Sequence, residues 1–317
     1  MTKRLGVVMD PIDAINIKKD STFAMLLEAS RRNYELVYLP PGSLFADGSQ
    51  ARGMGRALTV RDDADDWFGL DAPDALALGE LDVILMRKDP PFNMEYIYAT
   101  YLLELAGQQG ALIVNDPQAL RDCNEKMATL WFPELAPPTL VTSGAALIRD
   151  FLGHHRDVII KPLDGMGGAS IFRLREGDPN TGVVIETLTG HGKRLAMVQR
   201  FIPEISEGDK RILLIDGEPV PYTLARIPAQ GETRGNLAAG GKGVPMPLTG
   251  RERAICDAVA SKLTEKGLIF VGLDVIGDYI TEINVTSPTC IRELDAAYNI
   301  NIAGMLFDAI ERRLEHD

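Results

Sequence analysis

The β-branched run Val158-Ile159-Ile160 ends on Lys161 and is followed at once by Gly165, Gly167 and Gly168, after which Ser170 to Leu174 reads as extended again. This order of strand, lysine, glycine loop and strand excludes two familiar phosphate sites. A P-loop places its lysine after the glycines and continues as a helix, and a dinucleotide fingerprint opens a helix with G-x-G-x-x-G. What remains is a hairpin whose glycines leave backbone N–H groups free to approach an anion. A glycine-rich hairpin without a ligand has the same composition, so the rest of the chain must decide.

Upstream, apolar strands and amphipathic helices alternate. Strands are expected at Leu5–Met9, Leu36–Leu39, Val83–Met86 and Ala111–Val114, with helices over Ser21–Arg32 and Met94–Ala106. Such alternation marks an open parallel sheet, whose ligands gather at the carboxyl ends of the strands. Asp10, Lys18, Lys19, Arg87, Asp89 and Asn115 fall there, and Arg87 is the candidate carboxylate clamp. Between Pro41 and Asp82 only an Asp47-Gly48 turn is legible, and Asp62, Asp63, Asp65 and Asp66 read as a solvated face. Asp116 and Pro117 read as the N-cap and first residue of a helix carrying Arg121 to Lys126. The domain change is placed near Asp122, giving an amino-terminal domain of residues 1–122 and a second of residues 123–317, where strands pair around helices.

Composition narrows the function. The 317 residues, 45% of them hydrophobic, suffice for two cored domains. A formal charge of −12, with no basic run interleaved with aromatics, argues against nucleic acid. Cys123, Cys256 and Cys290 form no C-x-x-C, which favours a reducing compartment over disulfides or zinc. Met1 to Arg4 runs directly into a strand and no membrane-length apolar segment follows, so a soluble, cytoplasmic protein without membrane partners is expected.

Two further segments carry chemistry. Near the end of the chain Glu282 and Asn284 lie two apart on one strand face, and their oxygens suit Mg²⁺. Asp274 joins them only if the Gly277-Asp278 hairpin has odd register, since a plain two-residue loop sets it opposite Thr281. An acidic hairpin face in water is the competing reading. Residues 226–243 contain five glycines with Arg226, Arg234 and Lys242, too glycine-rich for stable secondary structure. In so acidic a chain those cations suggest a mobile lid over a phosphorylated substrate, as against a plain surface loop.

Taken together, Lys161 to Ser170, Arg226 to Gly243 and the run Glu282-Ile283-Asn284-Val285-Thr286-Ser287-Pro288-Thr289 resemble the ATP-grasp ligases. With Arg87-Lys88-Asp89-Pro90-Pro91, Asn115 to Lys126 and Ile291-Arg292-Glu293, the similarity narrows to the prokaryotic-type glutathione synthetase family and spans essentially the whole chain. The resemblance implies a Rossmann-like, pre-ATP-grasp open-sheet domain followed by a two-lobed ATP-grasp fold, with lobes at about residues 123–203 and 204–317. It implies ATP-dependent joining of γ-glutamylcysteine and glycine through an acyl phosphate, with Mg²⁺ or Mn²⁺, in a homotetramer.

Position by position it implies phosphate contacts at Lys126, Lys161, Gly165, Gly167 and Gly168, adenine contacts at Gln199, Phe201 and Ile202, and ribose at Asp209. Metal ligands fall on Asp274, Glu282 and Asn284; Arg211, Arg226 and Arg234 fall near the acyl phosphate, and Arg87, Ser287 and Arg292 near substrate carboxylates. Arg292 is the first candidate for the carboxylate of glycine. The alternatives are another carboxylate–amine ligase, of the D-alanine–D-alanine or glutamate-ligase type, and an ATP-binding module without turnover.

Overall fold

A computed structural model describes residues 2–237 and 240–316. Its first sheet grows from apolar strands. β1 (Arg4–Val8) leads through α1 (Ser21–Arg31) to β2 (Glu35–Leu39); β3 (Leu44–Asp47), β4 (Gln50–Val60), β5 (Phe68–Leu70) and β6 (Asp74–Ala77) follow, then β7 (Val83–Met86), α2 (Met94–Gln108), β8 (Leu112–Val114) and α3 (Pro117–Asp122). The sheet order is β3-β4-β2-β1-β7-β8, with β5 and β6 both paired to β4.

Only β2, β1, β7 and β8 are mutually parallel, and β4 runs antiparallel to β2. The expected open parallel sheet is therefore the core of a mixed one, extended by strands from the stretch that was illegible in sequence. Asp47 pairs with Gln50 across the expected turn. Helix starts follow local chemistry: Asp20 accepts from the Phe23 N–H at 2.6 Å, and Asp116 from the Ala119 N–H at 2.8 Å. α3 ends at Asp122, so Asn124, Glu125 and Lys126 lie beyond the helix expected to carry them.

β9 (Thr139–Thr142), α4 (Ala145–His155), β10 (Asp157–Pro162), β11 (Phe172–Arg175), α5 (Thr181–Thr189) and β12 (Ala196–Arg200) form a small lobe with sheet order β11-β10-β12-β9. The last unit contains β13 (Asp209–Ile215), β14 (Glu218–Ile227), β15 (Lys242–Pro247), α6 (Gly250–Glu265), β16 (Phe270–Ile276), β17 (Tyr279–Asn284), α7 (Ile291–Tyr298) and α8 (Ile302–His316), its sheet ordered β15-β14-β13-β16-β17. A reciprocal Thr249–Glu252 capping box starts α6.

Packing divides the molecule unevenly. Leu213, Ile215, Phe270 and Ile302 of the last unit share one buried cluster with Leu5, Val7 and Val83 of the first. The small lobe has its own core, built on Ile148, Val158, Ile160, Leu174, Ile185 and Val198. The cleft lies where this separately cored lobe faces the remainder.

Candidate active site

Two ammonium groups enter the cleft from different elements. Lys161, near the end of β10, donates to the Thr281 carbonyl at 3.1 Å and lies 3.5 Å from Glu282 Oε1. Lys126 donates to the Gly165 carbonyl at 2.6 Å, pinning the glycine loop, and lies 3.6 Å from the same Glu282 oxygen. Both lysines are buried. Desolvation pulls the Lys161 ammonium below its ordinary range, opposed by the Glu282 carboxylate. Burial likewise works against ionised Glu282, but Lys126 and Lys161 overcome it and hold its carboxyl below the ordinary value.

The hairpin register has an unexpected origin. Ile276 pairs with Tyr279 and Val275 with Ile280 across a two-residue turn, which alone would set Asp274 opposite Thr281. A register shift between Asp274 and Val275 makes Thr281 the extra residue of a β-bulge, so Asp274 pairs with Glu282. The shared face required of a metal hairpin, which the sequence left open between an even and an odd loop, thus comes from a bulge.

Asp274 is already engaged. Its Oδ1 accepts from Arg211 Nε at 2.6 Å, and its Oδ2 lies 2.9 Å from Arg226 Nη2. Arg226 Nη2 also reaches Asp209 Oδ2 at 2.5 Å. Burial opposes the charge on Asp274, yet the two guanidiniums hold its carboxyl far below the usual range. Among the described residues Asp209 pairs with Arg226 alone, and burial pushes its carboxyl up to about 6. Its buried Oδ1 has no hydrogen-bond partner among the described residues. Arg226 is buried within β14, and Lys242 and Gly243 belong to β15. The glycine-rich segment expected to lack secondary structure throughout residues 226–243 is thus a loop only between these strands; its residues 238–239 lie outside the described residues.

Within that loop Arg234 Nη2 pairs with Glu232 at 2.6 Å, and its Nη1 donates to the Gly168 carbonyl at 3.3 Å. Gly168 has φ +81°, and a Cβ there would stand 2.6 Å from Asn236 Oδ1. Gly167 also has positive φ. The two glycine-containing loops therefore touch across the mouth of the cleft.

Two cavities meet at Glu282. One is lined by Lys161, Gln199, Phe201, Ile202, Asp209 and Arg234. The second, of about 250 Å³, is lined by Gly165, Gly167, Arg211, Arg226, Asn284 and Ser287. Glu282 borders both.

Two expected substrate residues are not gathered there. Arg87 is buried behind the wall, its guanidinium donating to Thr22 Oγ1 at 3.0 Å and the Pro288 carbonyl at 2.9 Å. Packing has turned the expected clamp into a brace for the segment that carries Ser287. Arg292 pairs with Asp62, at 2.9 Å and 3.0 Å, in a separate groove beside α1. Asp62 is thus more than a solvated acid.

Conversely, Glu125 and Asn115, which the sequence placed near the site without a role, act as its supports. Glu125 Oε1 accepts from the N–H groups of Val285 and Thr286 and from Thr286 Oγ1, and Asn115 bonds to Phe270 and the Val285 carbonyl. Their only signal was position, beside Lys126 and at a strand end.

A lysine pair, an acid–amide hairpin and a glycine loop between two lobes define the ATP-grasp class. Solved structures agree in fold: D-cycloserine synthetase DcsG superposes with TM-score 0.66 at 16% identity, covering 98% of this chain and 99% of that one. The ATP-grasp ligase PsnB, complexed with precursor peptide PsnA2 and AMPPNP, gives 0.63 at 17%, covering 98% of each chain. Residues 4–121 match the model of the prokaryotic glutathione synthetase N-terminal domain, and residues 125–299 that of the prokaryotic glutathione synthetase ATP-grasp domain. The chain belongs to the prokaryotic glutathione synthetase family. The glutathione synthetase of Photorhabdus laumondii is 64% identical over 98% of this chain and 99% of its own, and that of Escherichia coli K12 is 61% identical with the same coverage.

Proposed function

We propose that this protein joins γ-L-glutamyl-L-cysteine to glycine, converting ATP to ADP and phosphate through an acyl phosphate. The observation that carries the reading is the convergence of Lys126, Lys161 and the Arg211–Asp274–Arg226 cluster on the Glu282 hairpin, where the two cavities meet. Activation is needed because condensing a carboxylate with an amine is uphill in water. The cysteinyl carboxylate takes the γ-phosphoryl group and ADP leaves; the neutral glycine amine then attacks the acyl carbon, phosphate departs and the amine loses its proton.

Phosphoryl transfer asks for alignment and charge neutralisation, with little covalent help from the protein. Lys126 and Lys161 hold the phosphates beside the glycine loop, and Arg211 with Arg226 faces the phosphoryl group on the acceptor side. Gln199, Phe201 and Ile202 border the nucleotide cavity, and the Asp209 oxygen that has no partner among the described residues suits a ribose hydroxyl. The touching loops keep water from the acyl phosphate.

A divalent metal fits part of the expected donor set. Among the described residues, Glu282 Oε2 and the Asn284 amide oxygen accept no hydrogen bond, because the lysines contact Oε1 and Asn284 donates through Nδ2. Such an oxygen pair suits Mg²⁺ or Mn²⁺, which would neutralise charge on phosphate oxygens that complete its shell. Asp274 is less free to ligate, since two arginines already take three of its four lone-pair positions.

The boundary near Asp122 is supported by the break between the two matched family segments. A homo-oligomer, a tetramer by resemblance, is supported by the outer face of α2, where Met94, Tyr98 and Tyr101 are each half exposed. Three free, buried cysteines fit a reducing cytoplasm, and among the described residues no helix is long and apolar enough to cross a membrane. The reading predicts phosphate release from ATP that requires both γ-glutamylcysteine and glycine. Release with either alone, or with D-alanine in their place, refutes it.

A further inference from the structure

The acceptor cavity is bordered by chemically different groups from two parts of the chain. Arg211, Arg226, Glu282 and Asn284 come from the last unit, and Asp89 and Pro90 from the amino-terminal domain. Three carboxylates border the space, those of Asp89, Glu125 and Glu282. Glu125 is spent on the 285–286 backbone and Glu282 on two lysines. Among the described residues the carboxylate of Asp89 accepts no hydrogen bond and makes no ion pair. Its main chain, by contrast, is held from both sides: the N–H donates to Asp10 Oδ2 at 2.8 Å, and the carbonyl accepts from Lys88 Nζ at 2.9 Å. An anchored backbone thus presents an uncommitted negative charge.

Asp89 is exposed at the border of a site that must admit a triphosphate and three carboxylates, two from the dipeptide and one from glycine, and there its charge repels anions unless a ligand brings the matching cation. We infer that Asp89 receives the ammonium group of the γ-glutamyl residue, an assignment that rests on the ligase reading above. The dipeptide reacts through its cysteinyl carboxylate, which must lie beside Arg211 and Glu282, so the γ-glutamyl end is left with the part of the cavity that the amino-terminal domain borders, where Asp89 stands. The amine of glycine is excluded from this role, because it must be neutral and next to the acyl carbon. A charge-assisted hydrogen bond at Asp89 therefore selects a γ-glutamyl head over other acyl groups of its length.

The test compares γ-glutamylcysteine with glutaryl-cysteine, which lacks only the amino group, in the wild type and in Asp89→Asn. The wild type is expected to favour the natural dipeptide by about 10- to 100-fold in kcat/KM, as loss of one charged hydrogen bond implies. In Asp89→Asn that preference should fall to about threefold or less, entirely through the natural substrate, with KM for ATP and glycine changed by less than about twofold. A preference that survives in Asp89→Asn, an equal loss on both substrates, or a rise confined to the KM of glycine overturns the assignment and leaves the ligase reading intact. A wild type that releases no phosphate with γ-glutamylcysteine and glycine overturns both.

Discussion

Two arginines of the same cleft should fail in opposite ways when removed. Arg226 is buried between Asp209 and Asp274, so Arg226→Ala leaves a carboxylate without its partner and weakens the hold on a second. Breaking a buried pair in this way costs about 3–5 kcal/mol, and the melting temperature should fall with activity. Arg234 sits on the loop, paired with Glu232, so Arg234→Ala should leave the melt unchanged while turnover drops about 10²- to 10³-fold. Thermal denaturation beside steady-state rates separates the two; equal melts would refute the difference. Lys161→Met should depress turnover on a similar scale, about 10²-fold or more, since it strips Glu282 of one counter-charge in a dry site.

At the scale of elements, the approach of the two loops is open to test at one glycine. Gly168→Ala places a methyl within 2.6 Å of Asn236 Oδ1, so activity should fall without loss of fold, and Gly168→Ala with Asn236→Gly should recover part of it. No recovery would mean that the positive φ of Gly168 matters more than the contact. A second element test concerns pH. Glu28 of α1 is held by Arg31, and against burial also by Arg32 and Asn301, and its carboxyl drops from 4.5 to about 2. A depressed folded value means the stabilisation is complete above pH 4.5 and is lost as pH falls toward 2. Glu28→Gln should therefore lower the melting temperature near neutrality and flatten its acid dependence across that window.

Elements were legible where local chemistry was unambiguous. Val83–Met86 is apolar throughout, and Asp116-Pro117 is a cap in sequence and in structure. β14 and β15 were missed because Pro219, Pro221 and Gly243 disguise strands that only sheet neighbours stabilise. The α6 capping box is a local signal too, since Thr249 and Glu252 stand three apart in the sequence. The bulge at Thr281 and the placement of Arg87 and Arg292 were beyond local reading, because each depends on partners distant in sequence: Pro288 for Arg87, Asp62 for Arg292.

For the whole molecule, the decisive feature is that the lobe of β9 to β12 keeps a hydrophobic cluster of its own, while the first and last units share theirs. Lys161, Gln199 and the glycine loop belong to that lobe, and Glu282, Asp209 and the arginine cluster to the larger body. Hydrogen exchange should find the lobe opening at lower free energy than the body, with ATP slowing exchange in residues 139–200. Uniform protection without nucleotide would contradict this.

The separate core also bears on how the protein comes apart. Heating without ligand should give two calorimetric events, the lesser one belonging to the lobe, and saturating nucleotide should merge them, since one molecule then spans the seam. Nucleotide occupancy, more than overall fold stability, would then decide whether the catalyst melts in pieces or as one.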